Sequence, residues 1–501
     1  MRIAYRHAFV AALCALCPAI AWAQSSEAQT AEVQASAGDS TYYLSDAVDQ
    51  PTRSPSDQVV MPVNGVVQGP ACEVAQGPGC DMAAACESCD DCCGSRWPCG
   101  CLLEDLGEAH SLSDRCFFSS RGIKAGGYVA QSYVWNPYQP NDRFNGPLTW
   151  TDRANDYQLN EIYFYAGKAA DNEGCGTALG WRVDTLYGTN YRWDTSAGFE
   201  SSWDNNQFYG LAVPALYGEL AYNDLNIKVG RFISPVGYHT VGQGNNFFSF
   251  IPYMYQYGQP FTHTGIWANY KVSDDLTVGG AVTHGWDSSD NTGNPHAGGL
   301  LNATYTIDEQ RALAWVGVFG PEPNFTGVNP SSHLSPLGTT GTGYTNRYLQ
   351  TLVYSRKFDA DSMLTLETDF GTQGDAVTAG RTAKWYSVGG WYYWNMTCRC
   401  QWGVAGEWFR DQGGFRVGGI LPSFGSPNAR GLSLARSGYD GSFYRFAIGP
   451  KYYFAPNLYG RAAFIADVYD GKVNNAGGLR PFDDGLKNHQ QVMSFDLVWT
   501  Y

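Results

Sequence analysis

From about residue 121 to residue 501, apolar and polar side chains alternate in runs of about 8–13 residues. The unit is plainest at 213–232. In PALYGELAY, Leu216, Gly218, Leu220 and Tyr222 fall on one face, with Tyr217, Glu219 and Ala221 on the other. Asn223-Asp224 makes a tight turn. In LNIKVG, Leu225, Ile227 and Val229 then face one way and Asn226 and Lys228 the other. Successive side chains of a strand point to opposite faces, so the pair predicts a β-hairpin.

The same pattern predicts strands near 123–135, 156–168, 178–188, 214–222, 225–232, 261–272, 275–286 and 298–307. It continues at 311–319, 346–358, 362–371, 384–396, 401–411, 442–454, 458–468 and 490–501. That makes about sixteen (14–18), with ends placed to within a few residues. Connections of two lengths alternate. Short ones fall at 223–224, 273–275, 308–310, 359–361, 397–400 and 455–457, with 169–177 somewhat longer. Long ones fall at 136–155, 189–213, 233–260, 287–297, 320–345, 372–383, 412–441 and 469–489. A soluble sandwich would explain the alternation but has no reason to sort its loops. A transmembrane barrel sorts them, with short turns on the periplasmic side and long loops outside. The expected fold class is therefore all-β, an antiparallel transmembrane β-barrel over residues 121–501.

Charge confirms which face is which. Trp402, Val404, Gly406 and Trp408 oppose Glu407; Tyr444, Phe446 and Ile448 oppose Arg445. Leu458, Ala462, Phe464 and Val468 oppose Arg461 and Asp467; Leu364, Leu366 and Phe370 oppose Glu367 and Asp369. A lipid-facing Arg or Lys at the midplane costs ~2–4 kcal/mol, so the charged face is the lumen. Candidate lumen residues are Arg182, Lys228, Arg445 and Arg461 with Glu219, Glu367, Asp369, Glu407 and Asp467. Aromatics such as Trp385, Trp391, Trp394, Tyr452, Tyr453 and Trp499 gather near strand ends, as interfacial girdles do. In the last segment, QVMSFDLVWTY, Met493, Phe495, Leu497, Trp499 and Tyr501 form the lipid row. Val492 and Val498 then face the lumen. Segments 156–168 and 346–358 are apolar on both faces and leave the assignment open.

Composition agrees with many short strands. Charged residues are 16% and aromatics 15%, with 59 glycines and a formal net charge of −15. A chain this acidic, without a Lys/Arg cluster, is a poor nucleic-acid binder. Arg2 and Arg6, the apolar run Ala8–Ile20 and Ala21-Trp22-Ala23 read as a signal peptide over 1–23. Residues 24–71, rich in Ala, Gln, Ser and Val, read as a flexible linker. Residues 72–120 form a cysteine-rich segment, expected in the periplasm. It holds Cys72, Cys80, Cys86, Cys89, Cys92, Cys93, Cys99, Cys101 and Cys116. The spacing Cys86-x2-Cys89-x2-Cys92-Cys93 could suit zinc or an iron–sulfur cluster, but export favours disulfides. Nine cysteines cannot all pair. Cys175, Cys398 and Cys400 lie in predicted periplasmic turns and raise the total to twelve. A disulfide tying the segment to a barrel turn, or one between those turns, is therefore expected, and no metal is.

One stretch carries a family resemblance. NNFFSFIPYMYQYGQPFTHTGIWANYKVSDDLTVGGAVTHGWD, residues 245–287, holds Phe247-Phe248, Tyr257–Gly265, Tyr270–Val278 and Gly285–Asp287. An FF-containing loop, YGQPFTHTG, a YKVSDxLTV hairpin turn and a GWD exit resemble the OmpL-like family of outer-membrane β-barrel porins. The resemblance is specific here, loose over 121–501, and does not reach the cysteine-rich segment. It implies a bacterial outer-membrane barrel with pore activity.

The expected function is passive diffusion of small hydrophilic solutes through a polar lumen, without a cofactor. The alternative is a non-conducting barrel acting as a structural or adhesive anchor. Residues 233–260 follow the fifth strand, where sixteen-stranded porins carry a constriction loop. Water penalises exposure of a loop so aromatic. It should fold inward, with His239, Asn245, Asn246, Phe247, Phe248, Tyr253, Tyr255 and Tyr257 as constriction candidates. Expected partners are outer-membrane lipid and solutes or ions. A homotrimer is compatible with a non-polar exterior. Enzyme chemistry is not expected: His263 and His284 lack a Ser nucleophile motif, and a triad needs one.

Overall fold

The computed structural model describes residues 111–200, 203, 208–290, 294–324, 343–378, 380–397, 399–417, 438–472 and 480–501. Predicted segments 1–23 and 24–71, most of 72–120, and Cys398 lie outside them. Sixteen strands follow one another. The first eight are β1 (Lys124–Trp135), β2 (Tyr157–Lys168), β3 (Thr177–Gly188), β4 (Gly210–Tyr222), β5 (Leu225–Ile233), β6 (Thr262–Ser273), β7 (Leu276–Thr283) and β8 (Gly298–Asp308). The rest are β9 (Arg311–Pro323), β10 (Tyr344–Lys357), β11 (Ser362–Thr378), β12 (Arg381–Asn395), β13 (Cys400–Gln412), β14 (Gly441–Ala455), β15 (Leu458–Gly471) and β16 (His489–Thr500).

Each strand pairs antiparallel with its sequence neighbours, and β16 pairs with β1, so the sheet closes into a barrel. Closure removes the unpaired edges that an open sheet would expose. Tyr128 stands opposite Thr500 and Trp135 opposite Met493. Gly127 and Tyr501 exchange backbone hydrogen bonds of 2.9 and 3.0 Å. The Tyr501 hydroxyl reaches on to the Tyr163 carbonyl at 3.0 Å.

The wall has the predicted faces, except that Trp385 and Trp391, read as interfacial, are buried inside against the inner loop. On β16, Phe495, Leu497 and Trp499 are exposed, while Val492, Ser494, Asp496 and Val498 are buried inside. On β4, β5 and β14 the rows Leu216–Tyr222, Val229 and Tyr444–Phe446 likewise point outward against buried Glu219, Lys228 and Arg445. The two ambiguous segments have separate physical causes. In β2 the register slips between Ala130/Glu161 and Gln131/Leu159, which leaves Asn160 as an extra residue. Asn160 and Glu161 both point inward as a result, as a bulge allows. In β10, Leu349 and Val353 are inward and apolar because they join the aromatic core inside the barrel.

Several boundaries differ from expectation: β4 starts at Gly210 rather than 214, and β9 runs to Pro323 rather than 319. The predicted long connection 372–383 is instead a hairpin, because β11 runs to Thr378 and β12 starts at Arg381. Asp375 and Gly380 adopt positive φ, and the Asp375 carboxylate accepts the Gly380 N–H at 2.6 Å. There the ladder to β12 breaks after Gln373 and resumes at Thr378, so GTQGDAVT loses its alternation in between. The strand predicted to 286 stops at Thr283.

The candidate lumen and its inner loop

Residues 234–261 connect β5 to β6 and fold into the barrel rather than away from it. Their contacts lie on distant strands. The Tyr238 N–H donates to Glu367 of β11 at 3.0 Å, and Gln259 Nε2 donates to Glu367 and, at 2.8 Å, to Asp369. The Tyr253 N–H donates to Glu407 of β13, and the Met254 N–H to the same oxygen at 3.3 Å. Arg445 of β14 donates to the Ile251 carbonyl at 2.7 Å. Arg461 of β15 donates to the carbonyls of Gln243 and Asn246 at 3.0 and 2.6 Å. The Ser249 and Ser494 hydroxyls share a 2.8 Å bond. Hydrogen bonds to charged groups contribute about 1.5–3 kcal/mol each, so this set fixes the loop firmly.

Aromatic packing complements the bonds. Phe247 lies on Tyr393 with ring centroids 4.5 Å apart, and Phe248 stacks on Phe250 at 4.9 Å. Tyr253 meets Phe443 at 4.8 Å, and Tyr255 stacks on Phe261 at 4.5 Å. The Tyr257 hydroxyl donates to the Pro147 carbonyl. His239 is enclosed by Tyr238, Tyr255 and Trp391, and burial lowers its pKa to about 3. Asn246 caps the loop's own backbone at Thr240 and Gly242, and Asn245 forms the adjacent turn. The aromatic sequence of the loop therefore has a cause: it supplies the core of the barrel's interior.

The wall carries ion pairs across neighbouring strands. Lys228 lies 3.7 Å from Glu219, and Arg445 lies 2.7 Å from Asp467. Within β3 itself, Arg182 pairs with Asp184 at 2.7 Å. Arg461 pairs with Asp496 of β16. The sequence reading named all these basic residues but missed Asp184 and Asp496 as partners. Asp496 stood in plain view as an inward position of the last strand; its partner follows only from the β15–β16 register. It also missed two pairs that involve the loops, Arg192 with Asp152 at 3.0 Å and Arg231 of β5 with Glu200. Those acids lie in segments read only as long connections. Arg347, 3.7 Å from Glu322, was hidden by the ambiguity of its strand. Cys116, Cys175 and Cys400 form no disulfide with one another; the remaining disulfide candidates lie outside the described residues.

A closed sixteen-strand barrel with an apolar exterior, an ionic interior and sorted loops is the architecture of a bacterial outer-membrane protein. The profile of the family described as "Putative beta-barrel porin-2, OmpL-like" matches residues 122–501. The chain belongs to this family of outer-membrane porins. No curated protein matches its sequence. Among solved structures it is similar to the outer membrane channel DcaP of Acinetobacter baumannii, at 9% identity and a TM-score of 0.48, over 76% of this chain and 97% of that one. It is similar also to OprB of Pseudomonas putida, at 11% identity and 0.47, over 77% and 96%. The anion-selective porin from Comamonas acidovorans aligns at 12% identity and 0.44, over 76% and 99%.

Proposed function

We propose that this porin conducts small hydrophilic solutes by passive diffusion, through a polar lumen that residues 234–261 narrow. The observation that carries the reading is the set of hydrogen bonds from that loop to Glu367, Asp369, Glu407, Arg445 and Arg461. They hold a polar backbone across an ionic wall, as an eyelet requires. In this reading the protein works as a channel without catalysis, and solvated charges on wall and loop sort solutes. The non-polar exterior is compatible with a trimer in the membrane. Single-channel recording of the full chain in planar bilayers tests the function. Discrete steps of constant size are expected. A folded barrel that stays silent would favour the second reading, a structural or adhesive anchor. The interior speaks for that alternative in one respect: Trp150, Tyr253, Phe250 and Trp391 are almost fully buried within it.

The cysteine-rich segment is read as periplasmic. Cys116, Cys175 and Cys400 all sit at the short-turn end of the barrel, where that segment would meet them. A disulfide from it to the Cys175 turn or the Cys398–Cys400 turn is the expected link. Non-reducing peptide mapping that finds Cys175, Cys398 and Cys400 all as thiols would refute the link.

A further inference from the structure

The strands of a closed barrel are staggered, so at the seam where the sheet closes one strand overhangs the other. Here β1 overhangs β16. Their last exchange of backbone hydrogen bonds joins Gly127 to Tyr501, whereas on its other side β1 stays paired with β2 as far as Lys124–Gly167. Residues two apart in an antiparallel strand bond to the same neighbour. Among the described residues, the edge of β1 that faces β16 therefore continues through Ala125 to Ile123 with no strand beside it. Backbone groups without a partner there are costly, and they let the end of a strand pair fray.

Residues 111–123 occupy that edge. The Ser113 hydroxyl donates to the Ala125 carbonyl and accepts the Ala125 N–H, each at 2.9 Å. One side chain thus does for Ala125 what Tyr501 does for Gly127. The Ile123 N–H donates to the Phe118 carbonyl at 3.1 Å. The turn that presents Ser113 is itself fixed by a capping box: Ser111 Oγ accepts the Ser113 N–H, and the Asp114 carboxylate accepts the Ser111 N–H, both at 3.1 Å. Ser113 and Ala125 are buried, while Arg115, Cys116, Phe117 and Arg121 are exposed. Little apolar burial holds the segment, so its fastening falls on the hydroxyl.

The other end of the seam is tied differently. Asp484, between β15 and β16, accepts the N–H groups of Asn141 and Asp142, between β1 and β2, at 2.8 and 2.9 Å, and the Asn141 amide at 3.0 Å. Those loops lie within the stretch that the family profile matches, which begins at residue 122. The fastener at the short-turn end lies before it, in the extension that carries the cysteines.

We propose that residues 111–123 are a latch on the β1–β16 seam. With Ser113 engaged, the short-turn end of the seam stays shut; with Ser113 released, it frays from Ala125 toward Gly127 and Tyr501. Because the latch joins directly onto the cysteine-rich segment, a pull on that segment reaches the seam at Ser113. The latch goes beyond the porin reading and does not depend on conduction. Its test is amide hydrogen exchange of the full chain in detergent micelles, read residue by residue by fragmentation mass spectrometry. In the wild type Ala125 should be protected as Gly127 is. Ser113→Ala should speed exchange at Ala125 by about tenfold or more and should also speed it at Gly127 and Tyr501, while Leu349 and Val353 of β10 keep their wild-type rates. Ser113→Thr keeps the hydroxyl and should stay near the wild type. If Ser113→Ala does not assemble, Ser111→Ala, which loosens the turn and leaves Ser113 in place, should speed the same three amides by a smaller factor. Unchanged exchange at Ala125 overturns the latch. Faster exchange confined to Ala125 overturns it too, since Ser113 would then cap one residue without holding the seam.

Discussion

The inner loop has two unlike faces. Toward β11–β16 it is bonded at almost every turn, with carboxylates receiving its N–H groups and arginines receiving its carbonyls. Toward residues 189–200 it packs Val241, Ile251, Tyr255 and Phe261 against Trp150 and Trp193, and the Asp194 carboxylate is buried there without a hydrogen-bond partner. One face is held by charged hydrogen bonds; the other is held by apolar packing around Trp193. The charges differ in kind too. On the bonded face Arg445 and Arg461 are neutralised by Asp467 and Asp496, whereas on the packed face one Arg231 stands among Glu161, Asp194, Glu200 and Asp287.

The largest effect should come from cutting the fastened side. Arg461→Ala removes both carbonyl contacts of residues 243–246 and strands Asp496 inside the wall. Breaking a buried pair costs about 3–5 kcal/mol. Urea unfolding in detergent should show that loss, and single-channel steps should grow as the loop slackens. Unchanged steps would mean that Arg461 does not hold the loop. A smaller effect should follow from pushing the loop with the wall intact. At Gly403 of β13 an added Cβ would stand 2.5 Å from the Phe247 ring and 3.0 Å from Phe248, nearer than carbon atoms pack. Gly403→Ala should cost about 1–3 kcal/mol by overpacking and change step size in the same recordings. At Gly406, on the outer face with open space around it, the same change should leave the steps alone.

The wall was legible because lipid and lumen impose opposite preferences on alternate residues, a contrast that Leu216–Tyr222 and Phe495–Trp499 display residue by residue. It failed where that contrast ends. Between Gln373 and Thr378 the pairing of β11 with β12 is interrupted, so residues 372–378 carry no continuous alternation and read as a loop. The Asn160 bulge hid the faces of β2 for a different reason, since two successive inward residues break the period. The inner loop itself was readable from its aromatic content. Its anchors were not: Tyr238 to Glu367 and Tyr253 to Glu407 join residues more than a hundred positions apart, and no local pattern encodes such a distance. Glu367, Asp369 and Glu407 were found as inward acids, without their role of holding backbone. Asp194 was missed because residues 189–213 carry no periodic signal.

The smallest effect concerns pH, and its sign separates the two faces. His239 sits among Tyr238, Tyr255 and Trp391, and desolvation lowers its pKa from 6.5 to about 3. The docked loop therefore disfavours the imidazolium. Its docking is complete above pH ~6.5 and weakens as pH falls toward 3, by roughly 1.4 kcal/mol for the first full unit below the free value. Asp287 acts in the opposite sense. Burial raises its pKa to about 6, so the docked state holds that proton more tightly, and acid favours docking through it. The two contributions overlap between pH 4 and 6, which makes the variant essential. His239→Phe keeps an aromatic ring in the same enclosure and removes only the titration. Wild-type channels should flicker or widen on acidification, and His239→Phe channels should not. Equal acid responses in the two would transfer the sensitivity to the packed face, where Asp194 and Asp287 remain in both proteins.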